Sequence, residues 1–357
     1  MQYFLNLHLK IFAYEEMNVN VEKFEAALLS AHNVVIVGHL NPDGDAVGSV
    51  TALYRYLSGR GIDSRIIFPS EYAATFGFLI PAEAGKVIVA AADGEAAEAA
   101  ICAADLIVCL DMNGPSRTDS VCDAIRGSKA FKVLIDHHLN PERECFDIVY
   151  SEIEISSASE LLFWVLMGMS DVSGDARKLG GDVARALYAG MMTDTNNFSN
   201  SVFPSTFEMA SMLIAAGVDK TDLQERILSN YSISRMRLMG HLLSENMVYV
   251  SRYKAAYMVL TEADKAKYSF VKGDSEGFVN LPLSSGDVGI SALFTEDAEG
   301  GFIRVSLRSK GKIDVNALAH TFFNGGGHRN ASGGRLYIPV GDVPRYFEES
   351  LEKFYGA

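Results

Sequence analysis

The chain has 357 residues, close to half of them apolar, with glycine and charge at ordinary globular levels. That length suits two domains with proper cores, and no stretch approaches the roughly eighteen apolar residues of a membrane span. A formal net charge of −14 disfavours a long nucleic-acid duplex as partner, because duplex binding runs on neutralised phosphates.

Residues 1–16 carry no periodic signal, no basic n-region and no sustained apolar core, so they read as a leader, with Met17 an equally natural start. The expected location is the cytoplasm. From residue 33 to about 150, apolar runs at 33–38, 64–68, 86–90, 105–110, 132–135 and 147–150 alternate with helical patterns at 46–59, 95–102 and 117–126. This alternation predicts an α/β domain built on a doubly wound, mainly parallel sheet. Cys102, Cys109, Cys122 and Cys145 show no CxxC pairing and read as buried thiols of a reducing compartment. Helices are predicted over 157–169, 178–193 and 205–216. A polar helical run at 219–243 lacks a wide apolar face and reads as a connector. Strands at 247–250, 255–260, 289–294, 302–307 and 335–339, with helices at 313–321 and 342–355, then predict a smaller mixed α/β domain. The expected division is 1–218, a connector at 219–245, and 246–357.

Chemistry gathers where apolar runs end. The first strand runs into His39-Leu-Asn41-Pro-Asp43-Gly-Asp45, with a helix beginning at once. Leu106–Leu110 ends in Asp111, Val133–Ile135 in Asp136-His137-His138, and helical Ala186–Met192 in Thr193-Asp194-Thr195. Taken singly, a strand-terminal Asp is often a cap and a His pair often a turn. Together they point elsewhere, since a doubly wound sheet brings its strand ends to one edge. His39, Asp43, Asp45, Asp111, His137 and Asp194 make six ligands, with Asp111 able to bridge. Four carboxylates at ligating distance would repel one another, and two divalent cations remove that conflict. Mixed imidazole and carboxylate ligation points to Mn2+, ahead of Mg2+ or Co2+.

These residues match a known family. HLNPDGDAVGS resembles the first motif of the DHH-type phosphoesterases, Leu110-Asp111-Met112 the second, Asp136-His137-His138 the triplet that names the family, and Thr193-Asp194-Thr195 the fourth. Gly325-Gly-Gly-His-Arg-Asn-Ala-Ser-Gly-Gly334 is similar to the glycine-rich signature of the DHH-associated domain, and Val305-Ser-Leu-Arg-Ser309 to the strand facing it. The match runs from about residue 20 to 355. One departure is Gly38, where many relatives carry Asp. The resemblance implies a first ion on His39, Asp43 and Asp111 and a second on Asp45, Asp111, His137 and Asp194. It also implies hydrolysis of a phosphoester by metal-activated water. His138 would face the scissile phosphate, Asp136 would orient an imidazole, and Asn41 would position a phosphate oxygen.

From Arg304 to Arg335 six basic residues stand against one acid, Asp314, a local net of +5 in an acidic chain. The glycine triplet Gly325, Gly326 and Gly327 leaves backbone N–H groups uncovered, as an anion loop requires. Arg308, His328 and Arg329, with Ser306 and Ser332 as weaker candidates, are expected to hold the non-reacting end of a substrate. Phe322 and Phe323 read as core ahead of base-stacking residues. A basic cleft in an acidic protein suits a nucleotide a few units long. Glu276-Gly-Phe-Val-Asn280 looks like the nanoRNase/pAp phosphatase-like group. The expectation is hydrolysis of short oligoribonucleotides or 3′-phosphoadenosine 5′-phosphate (pAp). Cyclic or linear dinucleotide hydrolysis, exopolyphosphatase or pyrophosphatase activity, a processive single-strand exonuclease and a non-catalytic nucleotide sensor are the alternatives. Assembly is left open, a homodimer included.

Overall fold

A computed structural model of the chain describes residues 21–229 and 231–356. The expected leader at 1–16 lies outside the described residues. The chain falls into two compact units divided between 230 and 231. Among the described residues, no helix is long and apolar enough to cross a membrane.

The first unit contains α1 (Glu22–Ser30), β1 (Val34–Val37), α2 (Gly44–Ser58), β2 (Ser64–Phe68), β3 (Val87–Val89), α3 (Gly94–Ala103), β4 (Leu106–Leu110), α4 (Cys122–Gly127), β5 (Phe131–Asp136), β6 (Ile148–Ser151), α5 (Ala158–Met167), α6 (Gly181–Asp194), α7 (Pro204–Ala215) and α8 (Lys220–Ile227). Its six strands lie in the order β3-β2-β1-β4-β5-β6, every neighbouring pair parallel. Strand order therefore reverses between β1 and β4, the point where open α/β sheets form a crevice beyond their carboxyl ends.

The continuous apolar runs are explained by burial on both faces. Val34, Ile36, Val108 and Ile135 pack on one side with α1, α2, α5 and α6, while Val35, Val37, Ile107, Cys109 and Leu134 pack on the other with α3 and α4. Of the four thiols expected to be buried only Cys109 is, and Cys102 on α3 is exposed. One expected helix is broken. Residues 115–121 form a tight 3-10 turn opening at Pro115, interrupted at Asp119 (φ 47°), and α4 starts only at Cys122.

Two helices cross at backbone contact. A Cβ on Gly48 of α2 would stand 2.7 Å from the Ala186 carbonyl oxygen of α6, and one on Gly190 of α6 would overlap the Ser159 hydroxyl and stand 2.8 Å from Asp45 Oδ1. This close approach brings the start of α2 and the end of α6, with Asp45 and Asp194, to one side of the sheet.

The polar run at 219–243 is not one element. Leu223 and Ile227 of α8 join the first unit's core, whereas Leu238 of α9 (Ile233–His241) packs in the second unit. Each short helix donates so few apolar residues that no stripe shows in the sequence. After α9 a π-turn at Leu242–Asn246 leads into β7 (Val248–Val250), β8 (Ala255–Leu260), α10 (Glu262–Lys267), β9 (Ile290–Asp297), β10 (Phe302–Ser309), α11 (Val315–Phe322), β11 (Gly326–His328), β12 (Ala331–Leu336) and α12 (Val343–Gly356). Strand order is β11-β12-β10-β9-β8-β7, with β8 and β9 the parallel pair. Val305, Leu307 and Phe294 face α11 and α12 and pack with Phe323 at the end of α11, while Met258, Leu260 and Leu293 on the other face pack with α9, Phe278 and Val279.

The glycine-rich segment is a hairpin, not a free loop. β11 pairs β12 through Gly326–Gly333, Gly327–Ser332 and His328–Ala331, and the last strand begins at 331, ahead of the expected 335. Glycine is needed here for closeness, since a Cβ on Gly325 would overlap the Gly333 carbonyl oxygen.

Gly190→Ala forces a methyl into the α5–α6 contact and is expected to cost about 1–3 kcal/mol or more. A thermal melt should therefore show the transition lowered by several degrees. An unchanged midpoint would contradict the close crossing.

Candidate metal centre

Three neighbouring strands supply the site at their carboxyl ends. β1 leads to His39, β4 to Asp111, and β5 ends at Asp136, followed by His137 and His138. Helix α2 adds Asp43 as its N-cap, accepting from the Asp45 and Ala46 N–H groups at 3.0 and 3.1 Å, and Asp45 in its first turn. Asp194 ends α6. His39, Asp45 and Asp111 are buried, and His137, His138 and Asp194 half-buried.

Asp111 stands at the centre. Its Oδ2 is 3.5 Å from His39 Nε2 and its Oδ1 is 3.4 Å from His137 Nε2, so each carboxylate oxygen faces a different imidazole. Asp43 Oδ1 lies 3.7 Å from His39 Nε2, and Asp194 Oδ2 lies 3.5 Å from His137 Nε2. Two donor sets that share no residue result, His39–Asp43–Asp111 and Asp45–His137–Asp194, and a third, Asp111–His137–His138, overlaps both, each with its ligand atoms within 4.8 Å of one another. Asp111 holds φ +58°, a strained conformation for a residue with a Cβ.

These separations fit cations better than hydrogen bonds. Where imidazole and carboxylate truly pair in this chain they close to 2.7 Å (His138 Nδ1–Asp136 Oδ1) and 2.9 Å (His241 Nε2–Asp264 Oδ1). Ligands about 2.1 Å from a shared octahedral ion are spaced at about 3 Å or more from one another. His39 Nδ1 lies 2.8 Å from the Leu40 carbonyl oxygen, a contact that fixes the ring and turns Nε2 to the acids.

The electrostatics ask for positive charge. Burial alone would lower the imidazole pKa values, but Asp111 and Asp43 hold His39 up at about 11, and Asp111 with Asp194 holds His137 up at about 10. Burial pushes Asp45 up to about 7, helped by the charge of Asp111, and raises Asp194 well above the usual carboxylate range. Asp111 is the exception. Burial opposes its charge, yet His137 and His39 keep it well below the usual range. The donor set thus suits hard-to-borderline divalent ions.

Other expected residues fall in several places. Asp136 is fully buried and receives the His138 backbone N–H at 3.1 Å as well as its Nδ1. Asn41 is exposed at φ +54°, its N–H donating to the Ser70 hydroxyl at 2.8 Å, and it belongs to neither donor set. In the second unit, register puts Ser306 beside Gly333 and Gly326, and Arg308 beside Ala331 and His328, all on one face. Ser332 pairs with Leu307 on the opposite face, and its hydroxyl donates to the His328 carbonyl at 2.7 Å. Arg329 is exposed in the β11–β12 turn. Phe323 is buried in the core and Phe322 packs against it. Missed from sequence is Ser291 of β9, which pairs with Arg308 and whose buried hydroxyl has no hydrogen-bond partner among the described residues. Only strand register reveals it.

The chain is similar to known proteins over most of its length. The DHH family N-terminal domain matches residues 33–191 and the DHHA1 domain matches 253–354. A protein of Streptococcus mutans named as a probable bifunctional oligoribonuclease and PAP phosphatase, NrnA, is 28% identical over 314 residues, covering 87% of this chain and 92% of that protein. The Bacillus subtilis protein named bifunctional oligoribonuclease and PAP phosphatase NrnA is 27% identical over 308 residues, 85% of this chain and 89% of its own. Among solved structures, an exopolyphosphatase-related protein from Bacteroides fragilis superposes with a TM-score of 0.87 at 38% identity, covering 94% of this chain and 96% of that one. With the strand-end acids and imidazoles in place and both domain signatures matched, the chain belongs to the DHH family and carries a DHHA1 domain after its DHH domain.

Proposed function

We propose that this chain is a phosphoesterase that uses two divalent cations, Mn2+ foremost, to hydrolyse short oligoribonucleotides and pAp. The observation that carries the reading is the splitting of the Asp111 carboxylate between His39 and His137, the arrangement a bridging ligand requires. His39, Asp43 and Asp111 would hold one ion, and Asp45, Asp111, His137 and Asp194 the other. When bound, such ions lower the pKa of water and neutralise charge on phosphoryl oxygens.

The remaining roles belong to the chain's own groups. Asp136 clamps His138 Nδ1, so proton donation to the leaving oxygen falls to Nε2. Arg308 supports an anion-binding role for the second unit. Arg308 is half-buried, burial lowers its pKa, its Nη1 donates to the Leu307 carbonyl oxygen at 3.0 Å, and among the described residues no carboxylate forms an ion pair with it. A half-buried guanidinium with no carboxylate beside it keeps donors for an anion, and a substrate phosphate would supply that partner. His328 and Ser306 share its face, whereas Ser332 acts by holding the hairpin. The names of the NrnA relatives favour short nucleotides over pyrophosphate.

The deciding experiment is a manganese-supplemented panel of pAp, di- to pentaribonucleotides, cyclic di-AMP and pyrophosphate. Turnover is expected for pAp and the short ribonucleotides; turnover of pyrophosphate or cyclic di-AMP alone would displace the reading. Asp111→Asn withdraws charge from both ions at once and should lower kcat by about a thousandfold or more. Activity within tenfold of the unmodified protein would rule out a bridging role.

A pH effect follows as well. With His39 near 11 and His137 near 10, each ion must displace a proton to reach its imidazole. Apparent Mn2+ affinity should therefore rise with pH between 6 and 8, by up to about tenfold per pH unit for each proton released. Calorimetry in buffers of different ionisation enthalpy reads that release directly, and flat affinity with no proton release would contradict it.

A further inference from the structure

The Asp45 carboxylate is held from behind by the start of α5. The Ala158 N–H donates to Oδ2 at 2.6 Å and the Ser159 N–H donates to Oδ1 at 3.0 Å. Each oxygen keeps a second lone pair for a cation. The direction of those lone pairs depends on where the first turn of α5 stands.

A second carboxylate fixes that turn. Glu160 is completely buried, and its acceptor capacity is met by donors from two separate elements. Oε2 accepts from the Ser156 N–H at 3.1 Å, from the Ser156 hydroxyl, and from the Thr206 hydroxyl of α7 at 2.7 Å. Oε1 accepts from the Trp164 indole N–H at 3.4 Å. Its own N–H donates to the Ser157 hydroxyl, the N-cap of α5, at 3.0 Å. None of these side chains is cationic, so desolvation of the carboxylate is met by neutral donors alone. Helix packing by itself needs no such group, because the remainder of α5 from Leu161 to Met167 is apolar and fully buried.

Thr206 extends the tie. It lies in the first turn of α7, which follows the loop that leaves Asp194. One side chain thus links the α5 turn that grips Asp45 to the helix that receives the chain beyond Asp194. We propose that Glu160 is a positioning residue for the second cation, touching neither ion nor substrate, and that it aims the Asp45–His137–Asp194 set by locking the starts of α5 and α7 together. This inference rests on the two-cation reading above.

The sole tryptophan offers a reporter, since Trp164 hydrogen-bonds to Glu160. The test is titration of the full chain and of Glu160→Gln with Mn2+ by calorimetry, and with diamagnetic Mg2+ by Trp164 emission. The unmodified protein should bind two ions and change its emission as the second one binds. Glu160→Gln should keep one ion at unchanged affinity and lose about 10–100-fold on the other, as outer-shell partners typically do. Its emission change should move to correspondingly higher Mg2+, and kcat should fall more than KM rises. Equal binding of both ions by Glu160→Gln, or equal weakening of both, overturns the inference. Should that variant fail to fold, Ser156→Ala removes a single donor and is judged by the same split. An unmodified protein that binds fewer than two ions would remove the underlying two-cation reading, a result seen before any variant is compared.

Discussion

Crowding carboxylates at one edge of a sheet is unfavourable unless positive charge comes with them, and this constraint governs the first unit. Asp43, Asp45, Asp111 and Asp194 meet around two imidazoles, with a further acid, Asp136, behind His138. Within the chain itself, His39 and His137 answer by holding their protons far above the usual range, and Asp45 and Asp194 by resisting ionisation. A divalent ion answers more completely, because it replaces a proton at each imidazole and lets the acids ionise.

The architecture exists to hold that edge rigid. Reversal of strand order between β1 and β4 opens the crevice, and burial on both faces of the sheet leaves the strand ends little freedom. Helices α2, α5 and α6 then converge so closely that glycine is required at their contact, and Asp45 sits where all three meet. Glu160 belongs to this same construction. A carboxylate buried among hydroxyls, an indole and backbone N–H groups sets direction in a way that apolar packing does not.

The second unit solves a different problem with one sheet. One face is mainly apolar beneath α11 and α12, with Ser332 beside Leu307 at the hairpin. The other is divided, apolar over β8 and β9 where α9 covers it, and polar over β10 to β12, where Ser306, Arg308 and His328 align. Strand register therefore brings three of the six basic residues of the 304–335 stretch, Arg304, Arg308 and Arg335, to that face.

Much of this was legible in the sequence because it is local. Apolar runs of four to six residues ending in Asp or His mark strands and their carboxyl ends, and the six ligand candidates needed only the doubly wound topology to be brought together. The glycine run was visible too, but not its hairpin, because glycine carries no strand pattern and its pairing with β12 is specified by backbone closeness. The polar stretch at 219–243 concealed two helices serving different cores, each with too few apolar residues to show a period. Asp136 and His137 are adjacent and chemically alike as ligands, yet only folding turns one toward His138 and the other toward Asp111 and Asp194. Sequence by itself determined the chemistry available to this protein: acids and imidazoles at strand ends and a basic, glycine-rich carboxyl-terminal stretch. Tertiary structure alone decided which oxygen faces which imidazole, and that Glu160 is tied to Thr206 across 46 positions of chain, since such contacts are fixed by packing between elements that no local pattern encodes.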